Sequence, residues 1–104
     1  MTKMFKLDPD PTFDLDIPIP VPGNGFPKVR FTCRYRDMDG YESLMNDIDK
    51  KSHTEVVFLI ATGWNLDVEF NEENVTKLVR NYMGATAAIL EAYAKELMKV
   101  REKN

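Results

Sequence analysis

Residues 13–22 alternate between apolar side chains and either aspartate or proline. The apolar positions are Phe13, Leu15, Ile17, Ile19 and Val21, and the positions between them are Asp14, Asp16, Pro18, Pro20 and Pro22. A period of two kept over this length predicts a β-strand with one buried face. Proline has no N–H to donate to a neighbouring strand, so the three prolines restrict where in a sheet this strand can lie.

All three prolines fall on positions of the same parity. Successive residues of a strand direct their N–H groups to opposite edges, so every missing donor lies on one edge, whereas Ile17 and Ile19 direct theirs to the other. If the odd residues form the hydrogen-bonded pairs with a partner strand, the prolines remove donors only from the outer edge. Such an edge resists edge-to-edge aggregation. The stretch therefore predicts an edge strand.

A turn and a second alternating segment follow. The letters "PGNG", which begin at Pro22, supply glycines and an asparagine that tolerate the positive φ of a tight reversal. The next apolar series is Val29, Phe31, Cys33 and Tyr35, and it alternates with Lys28, Arg30, Thr32, Arg34 and Arg36. The two segments predict a β-hairpin with strands at 13–22 and 28–36.

The turn also predicts the register of the hairpin. A turn centred on Asn24 places Ile17 opposite Phe31, and a centre moved by one residue keeps the same faces with different partners. Because the prolines block the outer edge of the first strand, self-assembly would use the helices, the apolar face of the hairpin or the outer edge of residues 28–36.

Beyond residue 36 the apolar spacing becomes helical. Four helices are predicted, at about 38–50, 53–62, 72–82 and 84–101. Asp37 and Asn71 stand where helix caps are expected, and Met83 with Gly84 marks a break between the last two helices.

Residues 53–62 are ambiguous. The apolar run from Val56 to Ile60 also suits a buried strand. Ser52 and Glu55 have the spacing of a capping box, which favours a short buried helix that Gly63 ends. The order of elements predicts an α+β fold, a hairpin followed by helices, in a single globular domain at 12–104 after a flexible arm at 1–11.

Few residues are suited to catalysis or metal binding. Cys33 is the single cysteine and His53 the single histidine, and no electropositive setting that would activate the thiol can be read around Cys33. The letters "DMDG" resemble the start of a calcium loop, but Ile48 stands where such a loop needs glutamate. We therefore expect no enzymatic activity, no metal and no cofactor.

Nucleic-acid binding and membrane association are also disfavoured. In residues 28–36 the aromatic and basic side chains point to opposite faces, whereas a stacking platform needs both together, and the net charge is −3. No apolar run approaches the roughly 18 residues of a membrane helix, and residues 1–16 lack the apolar core of a signal peptide. We expect a cytoplasmic protein without nucleic-acid or membrane partners.

The remaining class is a protein-binding domain. A two-stranded hairpin with one apolar face needs a cover, which either the helices or another subunit supplies. Candidate interface residues lie near the hairpin and the last helix, and they are Phe13, Ile17, Ile19 and Tyr93. Core packing is the alternative role for each of these four residues.

The arrangement of motifs resembles the tail assembly chaperones of long-tailed, siphophage-type bacteriophages. The matching features are the "FTCRYR" strand, the "VVFLIATGW" segment, Phe70 before Glu72-Glu73-Asn74, Tyr82 and the pair Ala92-Tyr93. The resemblance extends over residues 12–100. The sequence departs from the family pattern in "NLDVEF" after the tryptophan and in Met83-Gly84 after Tyr82.

The resemblance implies a non-enzymatic protein that binds the tape measure protein and keeps it soluble while the tail tube assembles. It also implies a homo-oligomer, and a frameshift-extended form that recruits the tail tube protein. The protein would act in the cytoplasm of the infected or lysogenic host and be absent from the mature virion. The alternatives are a structural tail protein retained in the virion, a small nucleic-acid-binding regulator and, from the cysteine, a thiol enzyme.

Overall fold

The computed structural model of the chain describes residues 5–99. The elements in order are β1 (Thr12–Pro18), β2 (Lys28–Arg34), α1 (Met38–Asp47), a 3-10 turn (Ile48–Lys50), α2 (His53–Ile60), β3 (Ala61–Trp64), α3 (Glu72–Asn81) and α4 (Ala85–Leu97). Within the described residues the strands form one antiparallel sheet in the order β1-β2-β3. The α+β class and the order of hairpin and helices are confirmed.

The hairpin keeps its predicted faces, but the predicted register is wrong by two residues. Ile17 lies opposite Val29 rather than Phe31. The turn is centred on Gly23 rather than Asn24, because the Val21 N–H donates to the Gly25 carbonyl at 2.9 Å. Gly23 and Gly25 adopt φ of +82° and +77°, so two glycines provide the left-handed backbone that the reversal needs.

Pro18 lies on the outer edge of the sheet, as predicted, and Pro20 and Pro22 lie beyond the end of β1. The Ile19 N–H donates to the Pro27 carbonyl at 2.9 Å, and the Tyr35 N–H donates to the Pro11 carbonyl at 2.8 Å. Odd residues of the first strand therefore form the hydrogen-bonded pairs, and Pro18 directs its missing donor outward. In the described sheet β1 has β2 as its neighbour and lies at an edge.

Both strands of the hairpin are shorter than predicted. The strand predicted at 13–22 ends at Pro18, and the strand predicted at 28–36 ends at Arg34. A proline stands just beyond the ladder at each end, at Pro27 and Pro11. Because proline donates no hydrogen bond, each of these flanking pairs has a single bond and the regular ladder stops.

The helix predicted at 53–62 is a helix followed by a strand. Ser52 and Glu55 form the predicted capping box, with the Ser52 N–H donating to Glu55 Oε1 at 2.8 Å and the Glu55 N–H donating to Ser52 Oγ at 3.1 Å. The helix ends at Ile60, and Gly63 lies within β3 instead of ending the helix. The third strand pairs with β2, so the β2 edge that was predicted to be open for self-assembly is covered.

The remaining helix starts are as predicted, and the ends differ by a few residues. Asp37 accepts a hydrogen bond from the Gly40 N–H at 2.8 Å, and Asn71 accepts one from the Asn74 N–H at 2.9 Å. The first helix becomes a 3-10 turn at Ile48. The last helix ends at Leu97, and the last residues of its predicted range, 100–101, lie outside the described residues, as do residues 1–4 of the predicted arm.

The core lies between one face of the sheet and the helices. Its fully buried side chains come from the sheet (Ile17, Phe31, Cys33), from α2 (Val57, Ile60), from α3 (Val75) and from α4 (Ile89, Tyr93). The longest helix, α4, packs against both β1 and α2. This packing brings the tip of the hairpin next to the start of α4.

Candidate protein-binding surface

Three of the four predicted interface residues are core residues in the single chain. Ile17, Ile19 and Tyr93 are buried, and Phe13 is half-buried. The structure brings Phe13 and Tyr93 together as parallel stacked rings with centroids 6.2 Å apart. The Tyr93 hydroxyl donates to the Arg34 carbonyl at 2.7 Å, and burial raises the pKa of this phenol. In the single chain Ile17, Ile19 and Tyr93 thus lie in the core and Phe13 packs against it, while the role of all four residues in partner binding stays a prediction.

An exposed apolar groove lies beside these residues, where the hairpin meets α4. We call it the tip groove, and it is lined by Pro18, Pro20, Phe26, Gly84, Ala87 and Ala88. Its volume is about 550 Å³, and a second cleft of about 530 Å³ shares Pro20, Phe26 and Gly84 with it and extends to Met83. Phe26 is 68% exposed and Met83 is 87% exposed. Large apolar side chains thus stand open at the mouth of the groove.

The residues that line the tip groove determine which kind of partner it can bind. Its hairpin wall is the proline edge, which has no N–H at Pro18 or Pro20 to bind an added strand. Its helical wall consists of alanines, and Glu91 and Lys95 form an exposed ion pair of 3.2 Å at its rim. Small side chains let another helix approach closely, so the groove suits the apolar face of a helix.

A protein-family model described as phage tail assembly chaperone matches residues 1–104. The chain belongs to this family. No curated protein and no solved structure matches the chain significantly. The match covers the whole chain, and it confirms the resemblance that the motifs of the sequence predicted.

The chaperone has a second exposed apolar surface at the opposite end of α4. We call it the end patch, and it is a cleft of about 500 Å³ lined by Tyr35, Arg36, Asp37, Met38, Glu42 and Met98, among others. Met38 is 77% exposed and Met98 is 57% exposed. Like the tip groove with Glu91 and Lys95, this surface contains charged residues of both signs, here Arg36 beside Asp37 and Glu42.

The tryptophan that contributes to the family resemblance has a structural role. Trp64 packs edge-to-face against both Phe31 and Phe70, and its Nε1–H donates to the Val68 carbonyl at 2.8 Å. These contacts hold the loop between β3 and α3 against the sheet. Leu66, in the same loop, is 41% exposed and lies outside the residues that line the tip groove.

The candidate catalytic residues of the chaperone lack an activated arrangement. Cys33 is fully buried, and burial raises the pKa of its thiol to about 11, with smaller contributions from Asp14 and Glu96. A thiol with this pKa stays neutral at physiological pH and is a poor nucleophile. His53 Nδ1 lies 2.9 Å from Thr86 Oγ1, so its hydrogen-bonding partner is a threonine.

The strand that interleaves basic and aromatic residues does not present a stacking platform. Phe31 is fully buried, and Arg30 Nε lies 2.8 Å from Asp16 Oδ1 across the exposed face of the hairpin. The hydrogen bond from Arg30 lowers the pKa of the Asp16 carboxyl.

Within residues 5–99 no three acidic, histidine or cysteine side chains are grouped to hold a metal ion. Among the same described residues, no helix is long and apolar enough to cross a bilayer.

The tip groove was not predicted as an interface, although signals for it are present in the sequence. Phe26 follows directly after the "PGNG" turn, and Met83 stands at the break between the last two helices. An apolar residue at a turn or at a helix break lacks a periodic face that would bury it. This signal distinguishes exposed apolar residues from the periodic positions that form the core.

Proposed function

We propose that this tail assembly chaperone binds the tape measure protein through the tip groove and keeps it soluble while the tail tube assembles. The observation that carries the proposal is an exposed apolar groove, with Phe26 and Met83 open to solvent, in a chain of this family. Large exposed apolar patches on small proteins mark interaction sites. A protein of this kind needs no catalytic group.

The chemistry of the groove favours a helical client over an extended one. A strand would bind by backbone hydrogen bonds to a sheet edge, and Pro18 and Pro20 have no donors for it. A helix satisfies its own backbone and offers only side chains to the groove. The α4 helix has 13 residues and is about 20 Å long. One groove therefore covers three to four turns of a client helix, as estimated from about 5.4 Å per turn.

A long client needs several such grooves. We propose that copies of the chaperone form a homo-oligomer in which the tip grooves repeat along the tape measure protein, since linked weak sites bind far more tightly than one site alone. We further propose that a frameshift-extended form recruits the tail tube protein. The assembly takes place in the cytoplasm of the infected or lysogenic host, and the chaperone is absent from the mature virion.

Co-expression with an apolar helical fragment of the tape measure protein tests the proposal. We expect the wild-type chaperone to keep the fragment in the soluble fraction and to co-elute with it. Phe26→Glu places a charge in the tip groove and Met83→Glu places one in the adjoining cleft, and each should leave the fragment insoluble. Leu66→Glu is the matched control, because Leu66 is an exposed apolar residue outside the groove.

Two results would contradict the proposal in different ways. A wild-type chaperone that neither solubilises the fragment nor forms a complex would remove the proposed function. Equal loss of binding in Leu66→Glu and Phe26→Glu would instead remove the tip groove as the site. Mass spectrometry of purified virions tests the last step, because recovery of the chain there supports a structural tail protein.

A further inference from the structure

Two exposed apolar surfaces lie at the same end of the sheet. The first is the N-terminal arm, residues 5–11, in which Phe5 and Leu7 are each 89% exposed. The second is the end patch, which includes Tyr35. The arm enters the sheet beside this patch, because the Pro11 carbonyl accepts a hydrogen bond from the Tyr35 N–H at 2.8 Å. The two surfaces leave five large apolar side chains open to water, namely Phe5, Leu7, Tyr35, Met38 and Met98.

The one charge between the two exposed apolar residues of the arm is opposite in sign to the carboxylates of the end patch. Lys6 stands between Phe5 and Leu7, and the end patch carries Asp37 and Glu42. The wider region is strongly acidic, since residues 37–49 contain five acidic residues and no basic one. Nearer the sheet the arm becomes acidic, with Asp8 and Asp10, and the patch also includes Arg36.

Little holds the arm in its present position. The Lys6 ammonium lies 2.8 Å from the Asp10 carboxylate, but both side chains are mostly exposed. An exposed ion pair of this kind contributes little to stability, so the arm can exchange it for new contacts at small cost. Pro9 and Pro11 stiffen the connection to β1 and disfavour a tight fold back onto the neighbouring Tyr35 of the same chain.

We propose that the arm of one copy docks on the end patch of a second copy, with Phe5 and Leu7 on the methionines and Lys6 beside Asp37 and Glu42. Such a contact needs no other partner, because each copy of the chain contains both the arm and the patch. The contact leaves the tip groove free for the client. The inference rests on the proposed homo-oligomer, for which it supplies the interface.

Disulfide trapping between two single-substitution variants tests the contact. Leu7→Cys on a tagged copy and Met38→Cys on an untagged copy are mixed and mildly oxidised, while the native Cys33 stays protected by burial. We expect a disulfide-linked dimer of one tagged and one untagged chain. The matched control replaces Met38→Cys by Leu66→Cys, which puts an exposed thiol outside the patch and should give no more than background product.

A complementation experiment tests the energetics of the same contact. Leu7→Asp removes an apolar contact of the arm, and Met38→Asp removes an apolar contact of the end patch. Each substitution should weaken self-association at least about tenfold, as measured by light scattering. A mixture of the two variants keeps one intact arm and one intact patch. We expect it to form a 1:1 dimer that neither variant forms alone.

The outcomes separate this inference from the proposed function. An oligomeric wild type that gives no Leu7→Cys to Met38→Cys product overturns the arm contact and leaves the oligomer in place. A Leu7→Cys/Met38→Cys chain that closes only within itself also overturns it. A strictly monomeric wild type removes both the oligomer and its interface, while solubilisation of the client is measured independently.

Discussion

Gly84 packs directly against Pro20, and a Cβ built on Gly84 would lie 2.9 Å from Pro20 Cγ. The contact joins the tip of the hairpin to the start of α4, and both residues line the tip groove. Gly84 has φ of −87°, which any residue adopts. The glycine is therefore required for space rather than for backbone freedom, and it fixes how closely the two walls of the groove approach.

Gly84→Ala should destabilise the chaperone by about 1–2 kcal/mol, since an added methyl group must push the Pro20 ring away. Urea denaturation measures this change. Gly63→Ala is the control, because a Cβ there meets no atom within 4 Å, and its effect should stay within about 0.5 kcal/mol. Adding Pro20→Ala to Gly84→Ala should recover part of the loss. Equal stability of the two alanine variants would contradict the steric explanation.

Ser52→Ala should lower the free energy of unfolding by about 1 kcal/mol, because it removes the side-chain acceptor of the capping box at the start of α2. Ser43→Ala, on an exposed position within α1, is the matched control and should be close to neutral. Helix content by circular dichroism and urea midpoints measure both variants. A Ser52→Ala chain as stable as the control would show that tertiary packing alone starts this helix.

The same segment shows which parts of the fold local sequence can predict. Ser52 and Glu55 are three residues apart, so their capping interaction was predictable, and it is present. The change from helix to strand after Ile60 was not, because an apolar run suits both structures. The strand forms after Ile60 because Trp64 pairs with Phe31, and these two residues are far apart in the chain. The register of the hairpin was missed for a related reason, since Gly23 and Gly25 allow more than one centre of the turn.

The candidate site was predictable only in part. The parity of the prolines predicted the edge strand that forms one wall of the tip groove. Its neighbours were not predicted, because the exposure of Phe26 and Met83 depends on how the turn packs against α4. Ile17 and Tyr93 stand at periodic apolar positions of the sequence, and both side chains are buried. Strong periodicity therefore locates the core and gives little information about the binding surface.

The stability of the chaperone should depend on the Cys33 thiol at alkaline pH. Burial raises the pKa of this thiol from an ordinary value of 9.0 to about 11. Between these values the unfolded chain has lost the proton and the folded chain retains it, so the free energy of unfolding falls as pH rises, by up to about 1.4 kcal/mol per pH unit. Below pH 9 the contribution is fully present.

Cys33→Ala removes this titration and provides the comparison. Other groups that titrate at alkaline pH are present in both proteins, so the difference between them reports the thiol together with its small contribution to the raised pKa of Tyr93. We expect the stability advantage of the wild type to be constant below pH 9 and to shrink between pH 9 and 11. Urea midpoints across this range measure it. A difference that does not change with pH would mean that the thiol titrates at its ordinary value in the folded chain.

Pro18→Val should make the chaperone self-associate through the outer edge of β1. The substitution restores an N–H that points away from β2, and an edge with free donors and acceptors is a template for another strand. Light scattering at rising protein concentration measures the association, and adding Pro20→Val should increase it.

Pro27→Val is the matched control because it adds a donor to the same hairpin on the other side. Pro27 lies opposite Ile19 in a hydrogen-bonded pair, so the new N–H would bind the Ile19 carbonyl instead of facing solvent. The control should therefore remain as dispersed as the wild type. If Pro18→Val and Pro27→Val associate equally, the prolines do not protect the edge. If only Pro18→Val associates, the missing donor on the outer edge of β1 is what prevents strand addition.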